Sequence, residues 1–97
     1  MKKVSFKELL KEYEKKLNNT VLNDEYDVNM LMMFRTALID MVEGLSPREL
    51  EQLLNVDSKF ISEIKKEILI YNPDFKEFID NKSLTLFYKM MKIRKVA

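Results

Sequence analysis

A run of polar side chains between residues 58 and 66 falls on one face of a predicted helix. Its lysines can donate hydrogen bonds, its glutamate can accept them, and its serine hydroxyls can do both. Exposed together, such side chains can read the hydrogen-bonding edges of a partner, but they do not form a catalytic group. The residues of this polar face are Ser58, Lys59, Ser62, Glu63 and Lys66.

The side chains that most enzymes use are missing from the chain. Its 97 residues include no cysteine and no histidine, which excludes disulfides, Cys/His metal sites, thiol nucleophiles and imidazole bases. The only glycine, Gly44, cannot build a phosphate-binding loop. Asp40 and Glu43 are the best carboxylate pair, but acids three residues apart on a helix are usually only solvated. We therefore expect no enzyme, cofactor, metal or small-molecule substrate.

A short helix is predicted to precede the polar face. Ser46 can cap its N-terminus, Pro47 occupies the first helical position, and Glu49 completes an S-x-x-E capping box. Asn55 accepts the left-handed conformation that ends a helix, so the helix is expected to stop there. Between these signals, three leucines repeat at helical spacing: Leu50, Leu53 and Leu54.

A tight turn and a second helix are predicted to follow. Val56 is the apolar residue of the turn, and Asp57 can cap the next helix. Apolar side chains at helical spacing give that helix one buried stripe, which leaves the polar face outward. The predicted stripe consists of Phe60, Ile61, Ile64 and Ile68.

The block from Leu45 to Lys66 resembles the helix-turn-helix of phage-repressor-like (Xre-type) DNA-binding proteins. Asn55 stands where that family usually has glycine, Asp57 where serine is usual, and Glu51 where alanine is usual. The carboxylate of Glu51 would have to be displaced toward solvent where the two helices cross. The matching positions are Leu45, Ser46, Leu50, Leu54, Val56, Ile61 and Ile64.

The resemblance implies sequence-specific binding of double-stranded DNA by a homodimer. A helix about 10 to 12 Å across fits the major groove, so the polar face would meet base edges. Other cations would contact phosphates and make binding salt-sensitive. The predicted phosphate contacts are Arg48, Lys65, Lys82 and Lys89, with the basic tail that follows.

The charge distribution supports a nucleic-acid partner more than the net charge of +1 does. Residues 1–27 carry six basic and six acidic side chains, residues 28–57 carry two and five, and residues 58–97 carry nine and five. The excess of positive charge therefore begins where the second predicted helix, which carries the polar face, begins. This asymmetry is typical of a DNA-binding face, although a solvated basic tail would look the same.

The N-terminal segment is predicted to be an amphipathic helix. Ser5 and Glu8 form a second capping box, and the helix leads into a polar loop at residues 18–27. Its apolar stripe either packs on the domain or forms the dimer interface. The segment has no apolar core of signal-peptide length, and we expect no membrane segment and a cytoplasmic protein. The stripe consists of Phe6, Leu9, Leu10, Tyr13 and Leu17.

A longer helix is predicted from Val28 to Glu43, entered through Asp27 and ended by Gly44 in a left-handed cap. Its apolar face is wide, which is typical of a central core helix. Methionines are common in it, and they fill gaps in a core or form an adaptable binding surface. We predict core positions for Met30, Met33 and Met41, and leave Met32 open.

The sequence pattern of the C-terminal third fits two structures. Residues 75–79 and 84–89 can form a β-hairpin with Lys82 at its tip, which would be the wing of a winged helix-turn-helix. The same residues also fit one or two helices. The predicted fold is a single, mainly α domain over residues 1–97: a tri-helical helix-turn-helix core, an added N-terminal helix, and this wing or extra helices.

The predicted function is that of a small transcriptional regulator or a plasmid or phage protein for DNA maintenance or conjugative transfer. Frequent lysine, asparagine and isoleucine favour such an AT-rich source. The alternative is a helical protein-protein interaction module, an adaptor or inhibitor that does not bind DNA.

Overall fold

Helices account for nearly all of the described chain. A computed structural model describes the backbone of residues 5–96 and the side chains of residues 5–93. A 3-10 turn at Val42–Gly44 follows the second helix, and a π-helical segment at Phe60–Ile64 joins the third and fourth without a break. The mainly α prediction is confirmed. The α-helices are α1 (Phe6–Asn19), α2 (Glu25–Asp40), α3 (Pro47–Lys59), α4 (Lys65–Tyr71) and α5 (Phe75–Val96).

Helix starts predicted from serine caps are found where the sequence places them. The hydroxyl of Ser46 accepts a hydrogen bond from the backbone N–H of Glu49 at 3.2 Å, and the Glu49 carboxylate accepts one from Ser46 at 2.9 Å. This is a complete capping box, with Pro47 at the first helical position. At the start of α1, the hydroxyl of Ser5 accepts from the N–H of Glu8, which is one of the two hydrogen bonds of the predicted capping box.

Both ends of α2 differ from the prediction. The helix begins at Glu25 because Asp24, not Asp27, accepts hydrogen bonds from the first backbone N–H groups. The Asp27 carboxylate is engaged elsewhere, with Lys16 and with the backbone N–H of Val21. α2 ends at Asp40 in a 3-10 turn, and no described residue, including the glycine at position 44, has a positive φ.

The turn predicted at Asn55 is not formed. Asn55, Val56 and Asp57 all lie inside α3, which runs on through the π-helical segment into α4. The reason is the inward face, where Leu53, Asp57 and Phe60 are buried at spacings of four and three residues. A continuous helix keeps all three on one side, whereas a turn would separate them. The two crossing helices of a helix-turn-helix are therefore one long helix here.

The π-helical segment changes which side chains of this long helix face the core, compared with the prediction. Phe60, Ile64 and Ile68 recur every four residues, a spacing that would drift by about 40° per step in an ideal α-helix. The wider π turn reduces that drift. Phe60 and Ile68 are fully buried and Ile64 is half-buried. Ile61, predicted on the buried stripe, is instead 43% exposed.

The stripe of α1 packs inside the molecule rather than forming a surface for a second copy. α1 lies against α2 and against α3. Leu10 is half-buried, and the remaining stripe residues are buried: Phe6, Leu9, Tyr13 and Leu17. Of the two alternatives for this helix, packing on the domain is the one observed.

Of the two structures that fit the C-terminal third, the helical one is observed: α5 is a single helix, and the described residues contain no strand. The hairpin wing is therefore not formed. Ile79 and Leu86 bury one face of α5, which packs on α2 and on the 3-10 turn. Residues 80–83, which would form the tip of the hairpin, lie within the helix, where Asp80 and Ser83 bind side chains of neighbouring helices. A hairpin would leave those partners without their hydrogen bonds.

Candidate interaction surfaces

The predicted polar face lies on the outer side of the long helix. All five of its residues are exposed, and they span the end of α3, the π-helical segment and the start of α4. Ser58 donates a hydrogen bond to the backbone carbonyl of Asn55, and the ammonium of Lys59 contacts the side chain of Asn18 on α1. The structure therefore brings these residues together, but on a continuous helix.

The cations predicted to contact phosphates do not share one surface free of other partners. Arg48 is exposed in the first turn of α3. Lys65 forms an ion pair with Asp80 at 2.8 Å. Lys82 lies over the ring of Phe78, 5.7 Å from its centroid.

Lys89 is also engaged within the molecule. Its ammonium lies 2.6 Å from the Glu43 carboxylate and donates to the backbone carbonyl of Ile39. The hydrogen bond from Lys89 lowers the pKa of the Glu43 carboxyl below its ordinary value. Lys89 therefore ties α5 to the end of α2, and its charge is largely compensated.

A buried polar cluster, which was not predicted from the sequence, joins four helices. The carboxylate of Asp57 accepts hydrogen bonds from Arg35 Nε at 2.9 Å and Nη2 at 3.1 Å, and from the Tyr13 hydroxyl at 2.6 Å. Arg35 Nη2 also donates to the hydroxyl of Ser83 at 2.9 Å. Burial, followed by the Asp57 charge, raises the pKa of Tyr13 far above its usual value, so the hydroxyl stays protonated and donates.

The environment of Arg35 identifies this cluster as structural. Its guanidinium lies 4.6 Å from the ring centroid of Phe60, and its Nη1 is buried without a hydrogen-bond partner. Four surface cavities formed by described residues have neither Arg35, Asp57 nor Tyr13 in their lining. A signal was present in the sequence: Arg35 interrupts an otherwise apolar face, and a buried charge requires a partner of opposite sign.

An apolar groove lies between α2 and the first turns of α5. Its volume is about 720 Å³. Met32 is buried at its floor, whereas Met33, predicted in the core, is 64% exposed. Two exposed carboxylates, Asp40 and Asp74, stand on its rim and form no ion pair with any described residue. The groove is lined by Asn29, Met32, Met33, Thr36, Ala37, Asp40, Asp74, Phe75 and Phe78.

A second apolar surface lies on the outer side of α5, and we call it the α5 stripe. Its four side chains are between 42% and 60% exposed. They follow one another at intervals of three, one and three residues, which places them on one side of the helix. The α5 stripe consists of Leu84, Phe87, Tyr88 and Met91.

The described part of the chain lacks two further kinds of feature. No group of three or more carboxylates there is arranged to hold a metal ion. None of the described helices combines the length and apolar character needed to cross a membrane.

Comparison with known proteins gives no match. No family model, curated protein or solved structure is significantly similar to this chain.

Proposed function

We propose that this protein is a helical protein-interaction module that binds a helical segment of a partner in the groove between α2 and α5. The observation that carries this proposal is the open apolar groove, in which Met33 is 64% and Phe78 41% exposed. Large apolar side chains that the described chain leaves uncovered beside a buried floor are typical of binding grooves. Methionine suits such a surface because its side chain adapts to different partners.

The groove favours a partner helix with basic flanks. An amphipathic helix lays its apolar face into a hydrophobic groove and contacts it through side chains at i, i+3, i+4 and i+7. The carboxylates of Asp40 and Asp74 stand on the rim, so lysine or arginine beside the apolar face would meet opposite charge. An acidic partner would be repelled there.

A titration with model peptides tests this proposal. The probes are two amphipathic helical peptides with the same leucine stripe, one flanked by lysines and one by glutamates. We expect the lysine peptide to bind, and Met33→Lys to weaken it at least about tenfold, because a charge would enter the apolar contact. Ile70→Lys is the control, since Ile70 is 74% exposed on α4 and does not line the groove.

The methionines provide a direct readout. With methyl-labelled methionine, the NMR signals of Met32 and Met33 should shift on binding, whereas that of Met90, which lines a different cavity, should not. Equal affinity of the Met33→Lys and Ile70→Lys variants, or shifts away from the groove, would contradict the proposal.

Sequence-specific binding of double-stranded DNA, as a transcriptional regulator or a plasmid or phage accessory protein, is the second candidate. It is supported by the exposure of all five polar-face residues on one helix side and by the positive charge after residue 57. It would require a contact made by a continuous helix rather than by a helix-turn-helix. A titration with random-sequence duplex at two salt concentrations tests it, because phosphate contacts weaken steeply with salt. Lys59→Ala and Ser62→Ala should then reduce discrimination between sequences.

A further inference from the structure

We infer that two copies of this chain associate through their α5 stripes, with the helices antiparallel. This inference concerns a different surface from the groove and does not depend on the proposed function. Its starting observation is that Leu84, Phe87, Tyr88 and Met91 are exposed in a row on a helix whose opposite face is already packed on α2. Aromatic side chains dominate the energetics of interfaces, and the centre of this row is aromatic.

The spacing of the α5 stripe makes it complementary to itself. Intervals of three, one and three residues read the same in both directions, so a two-fold axis can pass between Phe87 and Tyr88. Leu84 then faces Met91 of the partner subunit, and Phe87 faces Tyr88 of the partner subunit. Each contact occurs twice, as an isologous interface requires, and the association stops at two copies.

No charge opposes this contact. Within residues 83–91 the only charged side chain is Lys89. Lys89 points away from the α5 stripe, since its ammonium binds Glu43 and the carbonyl of Ile39. The aromatic pair can therefore be buried without desolvating an ion.

The charges beyond the stripe select the antiparallel arrangement. After residue 91 the sequence contains three basic residues and no acidic one, and Lys92 is exposed. A parallel pair would place these two basic ends side by side, where they repel. An antiparallel pair places each basic end beside residues 80–83 of the other copy, where Asp80 and Lys82 leave no net charge. The repulsion between the two basic ends is then absent.

The groove between α2 and α5 is a less suitable site for a second copy. An α5 stripe inserted into the groove of another molecule would use two different surfaces. A head-to-tail contact of this kind closes only when its rotation generates a ring, and otherwise it produces extended assemblies. Pairing of stripe with stripe closes as a dimer and leaves both grooves open.

Sedimentation equilibrium tests the association. We expect a monomer–dimer equilibrium, in the micromolar range because the contact area is small. Phe87→Glu should raise the dissociation constant at least about tenfold. Ile70→Glu, at an apolar residue outside the α5 stripe that is even more exposed than Phe87, should leave it unchanged. Both variants should melt like the wild type. A wild-type monomer at concentrations on the order of 1 mM would overturn the inference, as would equal effects of the two variants.

Cross-linking tests the orientation, and the chain is suited to it because it has no cysteine. Leu84→Cys and Met91→Cys chains are mixed and oxidised, and the disulfide products are identified by mass. Antiparallel pairing predicts that the mixed disulfide exceeds its statistical proportion, because only facing residues come within bonding distance. An excess of like-with-like disulfides, or preferential cross-linking of Met91→Cys to a Met33→Cys chain, would overturn it.

Discussion

The two sides of α2 have different neighbours. On one side, Leu31, Arg35 and Leu38 are buried, and α1 packs against this helix. The side chain of Arg35 also binds Asp57 on the long α3–α4 helix. On the other side, Met33 and Asp40 border an open groove and remain exposed. The first side is closed around a polar cluster in which the charges meet inside the molecule. The second side keeps its apolar surface and its carboxylates available for a partner.

This difference separates the residues that hold the fold from those available for binding. Buried groups of the closed side cannot be removed without leaving a cavity or an unpaired charge. Exposed groups of the open side can be replaced at little cost to the fold. The comparison therefore predicts large losses of stability on one side and small ones on the other.

The largest expected effect comes from a charge placed on the buried face of the long helix. Ile68 is fully buried, so Ile68→Asp should unfold the protein, because an unpaired carboxylate cannot be buried there. Ile61→Asp, at a residue that the sequence placed on the same buried stripe, should remain folded because Ile61 is 43% exposed. Circular dichroism and thermal melting of the two variants measure this. Similar behaviour of both would refute the shift in helix phase produced by the π-helical segment.

The next largest effect is expected from breaking the buried ion pair. Asp57→Ala leaves the guanidinium of Arg35 buried and unpaired, so we expect the free energy of unfolding to fall by about 3–5 kcal/mol. Asp40→Ala, at an exposed carboxylate of the open side, should change it by no more than about 0.5 kcal/mol. Urea denaturation monitored by circular dichroism provides both values.

A double variant sharpens this test. Arg35→Met combined with Asp57→Leu replaces the ion pair by apolar side chains of similar size, and it should recover much of the stability lost in Asp57→Ala. If the double variant is as unstable as the single one, the loss is due to packing around Asp57 rather than to the unpaired charge.

The smallest effect concerns the ion pairs at the surface of α5. Hydrogen bonds from Lys65 and then Lys76 lower the pKa of Asp80 from 3.8 to about 2. A carboxyl group with a lowered pKa in the folded state contributes stability above pH 3.8, and this contribution is lost as the pH falls toward 2. Lys65→Met should move the pKa of Asp80 back toward its ordinary value, as measured by carbon NMR of the carboxyl group. An unchanged titration would mean that the ion pair is not formed in solution.

The sequence alone determined the mainly α class, the capped start of α3 and the apolar stripe of α1. These features depend on local interactions, such as the hydrogen bond from the N–H of Glu49 to the hydroxyl of Ser46, or on a regular apolar period. Both kinds of signal involve residues that are close together in the sequence. The tertiary structure alone decided that the chain passes Asn55 as a helix, that Ile61 and Met33 are exposed, and that α5 is one helix. The physical reason is that each depends on a partner distant in sequence. Asp57 could cap a helix, but Arg35 and Tyr13 hold its carboxylate inside the core.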